Sequence, residues 1–224
     1  SPDPDTLCPF CDKQLPANPT PVLRKILKLA IKRSRSCPRP LNPNGRQADL
    51  VDVFVPVCQR HRFESDLLPE AEAKGWPKEI EFDRVEKRVK QLRDDLKDLI
   101  TDPEIRTNNR FWVEVMSEIK KKGALGATKM QNQFANFDKT QPGYYGEQGA
   151  AVIQNTLYNM FPPSMMDQNA IKPISPADFI ARVLVPETAL CLIAEDCKTH
   201  KSQALKILRE SSAYGAAMFP ADDG

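Results

Sequence analysis

Histidine is nearly absent from this chain of 224 residues: only His61 and His200 occur. Imidazole acid–base catalysis would have to rest on His200 if His61 serves another purpose. Cysteine is sparse as well, six in all, which argues against a disulfide scaffold in a chain long enough to bury an ordinary core. No apolar run is long enough to span a membrane, and no secretory leader pattern opens the chain. No membrane partner is therefore expected, and the thiols are expected to be reduced. Neither sign of charge dominates, with 32 Lys and Arg against 30 Asp and Glu. That balance does not by itself indicate a nucleic-acid binder. Charged residues at 28% and apolar residues at 41% describe a globular chain rather than a disordered one. No internal repeat is present.

The few metal-competent residues are not scattered. Cys8-Pro-Phe-Cys11 and Cys58-Gln-Arg-His61 each place two such side chains three positions apart. Together they supply the Cys₃His set of a closed, tetrahedral structural zinc site. Cys8, Cys11, Cys58 and His61 are the expected ligands, with Cys37 as a residue that could replace one of them. A redox Cys-x-x-Cys would call for a βαβ pattern after Cys11, and none follows. A nucleobase deaminase would need His-x-Glu ahead of Pro-Cys-x-x-Cys. Here the order is reversed, and His61-Arg-Phe-Glu64 is one residue too long. Cys197-Lys-Thr-His200 is a further pair without a partner pair, and Cys191 reads as a small core residue.

Charge is uneven along the chain. Between residues 21 and 46 stand Arg24, Lys25, Lys28, Lys32, Arg33, Arg35, Arg39 and Arg46, with no Asp or Glu among them. This local positive field could contact phosphates or a protein partner. No aromatic residue interleaves the cations for base stacking, so a solvated helix face plus a basic loop, with a nuclear import signal at 32–35, accounts for them better than nucleic-acid contact does.

Hydropathy periodicity predicts an amphipathic helix over 22–32, a short strand over 51–57 and a helix over 62–74 interrupted at Pro69. A helix from residue 81 carries the stripe Phe82, Val85, Val89, Leu92, Leu96 and Leu99. Asp102 and Pro103 start the next helix, running to Lys122 and ended by Gly123. Further helices are expected over 147–161, from Ser175 as a cap with a kink or restart at Pro186, over 187–197 and over 202–212. The expected architecture is mostly α. Residues 1–7 form a disordered lead-in, and 8–80 a zinc-stapled portion with a short β element. Residues 81–220 form a helical bundle packed with it as one domain. The segment Gln141-Pro-Gly-Tyr-Tyr-Gly-Glu-Gln-Gly149 is either a recognition loop, using Tyr144, Tyr145 and Glu147, or a tight turn whose tyrosines close the core. No Gly-Lys-Ser/Thr follows it, so it is not a phosphate loop.

Several stretches in order resemble one family: Cys58-Gln-Arg-His-Arg-Phe-Glu64, 139–149, Leu208-Arg-Glu-Ser-Ser-Ala-Tyr-Gly215, Asn42-Pro-Asn-Gly-Arg46, Gly75-Trp76-Pro77 and Phe179-Ile-Ala-Arg-Val-Leu-Val-Pro-Glu187. With these the chain resembles the C-terminal domain of the fungal restriction of telomere capping protein 4 family. The resemblance implies a nuclear and cytoplasmic protein with a link to telomere capping. It implies no established activity and no catalytic residue. The functional expectation is a non-enzymatic interaction module with structural zinc that binds a protein partner. The alternative is direct DNA or RNA binding through residues 21–46, and an enzyme using the Pro142–Gly149 loop is the weakest reading.

Overall fold

A computed structural model of the chain describes residues 3–122 and 142–221. It is mostly helical and divides into two compact units, Ser1–Trp76 and Pro77–Gly224. No helix among the described residues is long and apolar enough to cross a membrane.

The first unit begins with a turn closed on itself. Leu7 bridges Gln14, the Cys8 amide donates to the Lys13 carbonyl at 2.7 Å, and the Asp12 amide donates to the Cys8 carbonyl at 3.1 Å. Asp12 takes the left-handed conformation, with φ of 62°, which a short polar side chain tolerates better than most. Helix α1, Pro21–Lys32, starts with Pro21 in its first turn and Thr20 as cap, whose hydroxyl accepts from the Leu23 amide. Its inward stripe is Leu23, Ile26, Leu27 and Ala30, at helical spacing. Val22, Leu29 and Ile31, part of the predicted apolar face, fall off that stripe and are exposed.

The β element is not where alternation predicted it. Residues Arg35–Ser36 (β1) and Arg46–Gln47 (β2) pair antiparallel, Arg35 opposite Gln47 and Ser36 opposite Arg46. The predicted strand over 51–57 is helical instead. Asp49 accepts from the amides of Val51 and Asp52 at 3.0 and 2.9 Å, which turns the chain into a helical start at Leu50–Phe54. Helix α2, Val55–Arg62, continues it, and Val53 and Val57 become one buried i, i+4 pair rather than alternate residues of a strand.

Proline does not break these helices. Pro56, Pro69 and Pro186 each follow a residue whose amide reaches back five positions: Val55 to Leu50, Leu68 to Phe63 and Val185 to Ile180. A turn widened by one residue takes up the ring that would otherwise clash with the carbonyl four back. The expected interruption at Pro69 and restart at Pro186 are therefore wide turns within continuing helix. Helix α3, Leu68–Lys74, ends at Gly75 in the left-handed conformation.

In the second unit the long predicted helix from residue 81 is two, α4 (Phe82–Gln91) and α5 (Arg93–Thr101), broken at Leu92. Val85, Val89, Leu96 and Leu99 are buried as the stripe predicted. Asp102 caps α6, Pro103–Asn108. The expected single helix to Lys122 is interrupted at Asn109, whose Oδ1 accepts from the Phe111 and Trp112 amides and starts α7, Arg110–Lys122. The expected stop at Gly123 lies outside the described residues. Helix α8 is Gly146–Met160. Ser175 caps α9, Pro176–Phe179, by accepting from the Asp178 amide. Helix α10, Val185–Asp196, is buried over most of its length and forms the centre of the unit. Helix α11, Lys201–Glu210, packs against it, and α4 packs against α8. A last helix, α12 (Ser212–Met218), occupies the segment that the sequence left without an element.

Candidate metal centre

The two ligand pairs converge. One ligand atom from each of Cys8, Cys11, Cys58 and His61 lies within 4.8 Å of all the others, and Cys11 Sγ stands 3.2 Å from His61 Nε2. A tetrahedron with bonds of about 2.0–2.3 Å has edges of roughly 3.3–3.8 Å, so the four atoms already sit near the corners of a metal polyhedron. Each pair reaches this point for a local reason. Cys8 and Cys11 flank a tight turn, while Cys58 and His61 are one helical turn apart on α2 and share a face. Cys8 and His61 are buried, and His61 Nδ1 meets no protein partner among the described residues. The other nitrogen, Nε2, faces the sulfurs. The donor set, its spacing and its burial fit a metal ion. Cys8 and Cys11 with Cys58 and His61 would hold it, and it would supply a cross-link between the first turn and α2.

The protons of this cluster are unequally held. The hydrogen bond with Cys58, helped by His61 and the amides of Phe10 and Cys11, pulls the Cys8 thiol down to about 4 against the effect of burial. Cys8 in turn pushes Cys58 well above the usual thiol range, and burial raises Cys11. Three sulfurs this close cannot all ionise cheaply unless a cation neutralises them.

The loop over 37–46 locks the turn in place. Buried Asn42 donates from Nδ2 to the Cys8 carbonyl at 3.1 Å and to Asp12 Oδ1 at 2.8 Å. Arg39 donates to both Asp12 oxygens and, from Nη2, to the Pro9 carbonyl at 2.7 Å. The Arg39 guanidinium, with help from Asn42, holds the Asp12 carboxyl below its ordinary range against the opposing effect of burial. Arg46 donates through its amide to the Pro9 carbonyl and through its side chain to Ser34. On the other side, Glu64 accepts from the Thr20 amide at 2.9 Å, from the Thr20 hydroxyl and from Arg60 Nε at 2.7 Å. Burial pushes Glu64 up, but these donors outweigh it and leave the carboxyl below its usual range. Glu64 thus ties the start of α1 to the helix that carries Cys58 and His61.

Other residues singled out in the sequence lie elsewhere. Cys37 is outside the cluster; its amide donates to the Gly45 carbonyl at 2.8 Å, and Cys58 completes the set. Cys197 is exposed and His200 precedes α11, with no third ligand gathered around them among the described residues. Of the eight basic residues, Arg24, Lys25, Lys28, Lys32, Arg33 and Arg35 are exposed. Arg39 and Arg46 are half-buried and engaged by the metal-side turn, so they are not free for a ligand. Tyr144 and Tyr145 are 2% and 1% exposed, and both hydroxyls donate to Asp196 Oδ2, at 2.7 and 2.5 Å. Arg88 donates to Asp196 at 2.7 Å and to the Tyr145 hydroxyl at 3.1 Å. Burial therefore removes the recognition-loop reading of the two tyrosines: they close a core. Glu147 accepts from the Ala221 amide at 2.8 Å. Gln141 lies outside the described residues. Cys191, expected in the core, is half-buried at the wall of a cleft.

Asp12, Asn42, Glu64, Arg88 and Asp196 are the positioning residues that sequence reading missed. The only signal for Asn42 and Glu64 was their place inside family-like stretches. Among known families, a model described as RTC4-like domain matches residues 105–220. No curated protein and no solved structure matches the chain.

Proposed function

The chain belongs to the RTC4-like domain family, and on that premise we propose that it is a non-enzymatic interaction module, stapled by structural zinc, that binds a protein partner. The wider setting proposed is a nuclear and cytoplasmic protein linked to telomere capping and chromatin maintenance. The observation that carries the reading is the convergence of Cys8, Cys11, Cys58 and His61 in a core cluster that α1 packs against through Ile26, Leu27 and Ala30. On α1, Arg24, Lys25, Lys28 and Lys32 are exposed, as is Arg33 just after it, and Val22, Leu29 and Ile31 are 49%, 47% and 41% exposed beside them. Aliphatic side chains among cations suit a protein surface better than a run of phosphates. Three groups with catalytic chemistry are engaged internally: His61 in the ligand set, Glu64 on Thr20 and Arg60, and Asp196 on two tyrosines. This supports a module rather than an enzyme.

Cross-linking of the full chain in nuclear extract tests the proposal. Lys25, Lys28 and Lys32 are expected to cross-link to one recurring protein, and Leu29→Asp is expected to abolish those links without changing the melting profile. Cross-links that ignore Leu29→Asp would reject α1 as the surface. The six exposed cations without an acid among residues 21–46 also support a second reading, direct DNA or RNA binding. It predicts affinity for a mixed-sequence duplex that falls steeply with salt and is lost in Lys28→Glu/Lys32→Glu.

A further inference from the structure

The second unit contains a cleft of about 560 Å³ bounded by α5, α6, α10 and α11. Leu96, Leu99 and Ile105 give it an apolar side, and Ile105 is 43% exposed. Its mouth carries Asp95, Asp98 and Glu104, all exposed and none in an ion pair among the described residues. Opposite them is Glu187, whose side chain is only 8% exposed. One carboxylate oxygen, Oε2, accepts from Asn109 Nδ2 at 2.9 Å; the other, Oε1, accepts from Lys201 Nζ at 2.7 Å. The Lys201 side chain is 63% exposed, so its ammonium reaches a buried carboxylate from the solvent side.

We propose that this cleft is a seat for a lysine side chain from a basic segment of a protein partner, with Lys201 as the resident ammonium that the incoming one displaces. The chemistry selects lysine over arginine. A guanidinium is recognised best by both oxygens of one carboxylate, and Asn109 already takes one oxygen of Glu187. The single remaining oxygen suits the point donor of an ammonium. The apolar side accommodates the four-carbon stem of the lysine. The three carboxylates at the mouth attract flanking cations and set the approach. Cys191, whose Sγ lies 3.8 Å from Glu187 Oε1, is pushed up to about 11 by burial and by that carboxylate, and so stays a neutral thiol against the seat. The cleft belongs wholly to the second unit, and the inference stands independently of the metal and of α1.

The test uses the full chain and a fluorescein-labelled penta-lysine peptide, followed by anisotropy. Saturable binding is expected, weakened about tenfold in Glu187→Gln and about threefold in Asp98→Asn or Glu104→Gln. Asp94→Asn, on the same helix but outside the cleft, is expected to change nothing. Lys201→Met removes the competitor, and is expected to tighten binding about threefold. That gain also separates the proposal from a folding artefact, because a damaged cleft cannot bind better. A penta-arginine peptide is expected to be insensitive to both Glu187→Gln and Lys201→Met. The proposal is overturned if penta-lysine does not bind, or if its affinity responds to the mouth carboxylates but not to Glu187→Gln and Lys201→Met. The latter would mean attraction to a charged surface without a seat.

Discussion

The two units hold their irregular turns in different ways. In the first, the main core cluster is Cys8, Phe10, Ala30, Val53 and Val57, with partly buried neighbours around it. The turn over 8–13 is fastened by polar contacts from Asn42 and Arg39, and its two cysteines face the Cys58 sulfur and the His61 imidazole. In the second, the turn over 143–145 is fastened by packing and by Asp196. Gly143 has φ of 61°, and a Cβ on Gly215 would stand 2.1 Å from the Gly143 carbonyl oxygen. Tyr144 and Tyr145 bury their rings and hand both hydroxyls to one carboxylate, and Phe179, Ile180, Leu184 and Leu192 of the same unit are fully buried as well. A small core needs an added cross-link, whereas a large one can position a strained turn by packing together with a few hydrogen bonds.

The comparison breaks most visibly if the cross-link is removed. Cys58→Ser, or a strong chelator on the native protein, is expected to unfold the first unit, because a structural metal contributes on the order of 10 kcal/mol to folding. The second unit should keep its hydrogen-exchange protection. Loss of protection in both at once would show that they are not separable.

A smaller effect is expected at the hub of the second unit. Asp196→Ala strips the acceptor from two buried phenols and leaves Arg88 with Glu195 alone as its carboxylate partner. A destabilisation of about 3 kcal/mol follows from the unpaired groups, measurable by urea unfolding, with the first unit's protection unchanged. Gly215→Ala should cost about 2 kcal/mol through backbone collision, and would deny the close approach if it proved neutral. Asn42→Ala removes two bonds that orient the Cys8 turn, and is expected to weaken metal affinity about tenfold while costing about 1 kcal/mol. A competition titration with a chromophoric chelator reads the affinity.

The smallest effect is one of pH. Burial, reinforced by Asp196, pushes Tyr144 and Tyr145 above the ordinary phenol range. An unfolded chain releases those protons near pH ~10 while the native unit retains them. The stabilisation is therefore complete below that pH and declines as pH rises through it. The urea midpoint of the second unit should fall above pH ~10, and fall less in Tyr145→Phe.

Much of this contrast was legible in the residues. Cys-x-x-Cys and Cys-x-x-His spacing named the cluster because i, i+3 places two side chains together on either a turn or a helix. Ser175 and Asp102 marked helix starts through side-chain chemistry that acts over two or three residues. What the sequence hid was settled by longer reach. Asn42 meets Cys8 across 34 positions and Glu64 meets Thr20 across 44. Tyr144 and Tyr145 find Asp196 across 52 and 51. The strand expected over 51–57 failed for a local reason: Asp49 caps a helical start at Leu50, and a turn widened by one residue takes up Pro56. Asn109 was overlooked as a cap because the helical period continues through it.

Metal analysis of the purified native protein, by inductively coupled plasma mass spectrometry with Cys58→Ser alongside, tests the central claim most directly. The account predicts about one zinc per chain in the native protein, and its loss in the variant together with the low-temperature part of the melting curve. A native protein free of metal, with the first unit fully protected from hydrogen exchange, would contradict it.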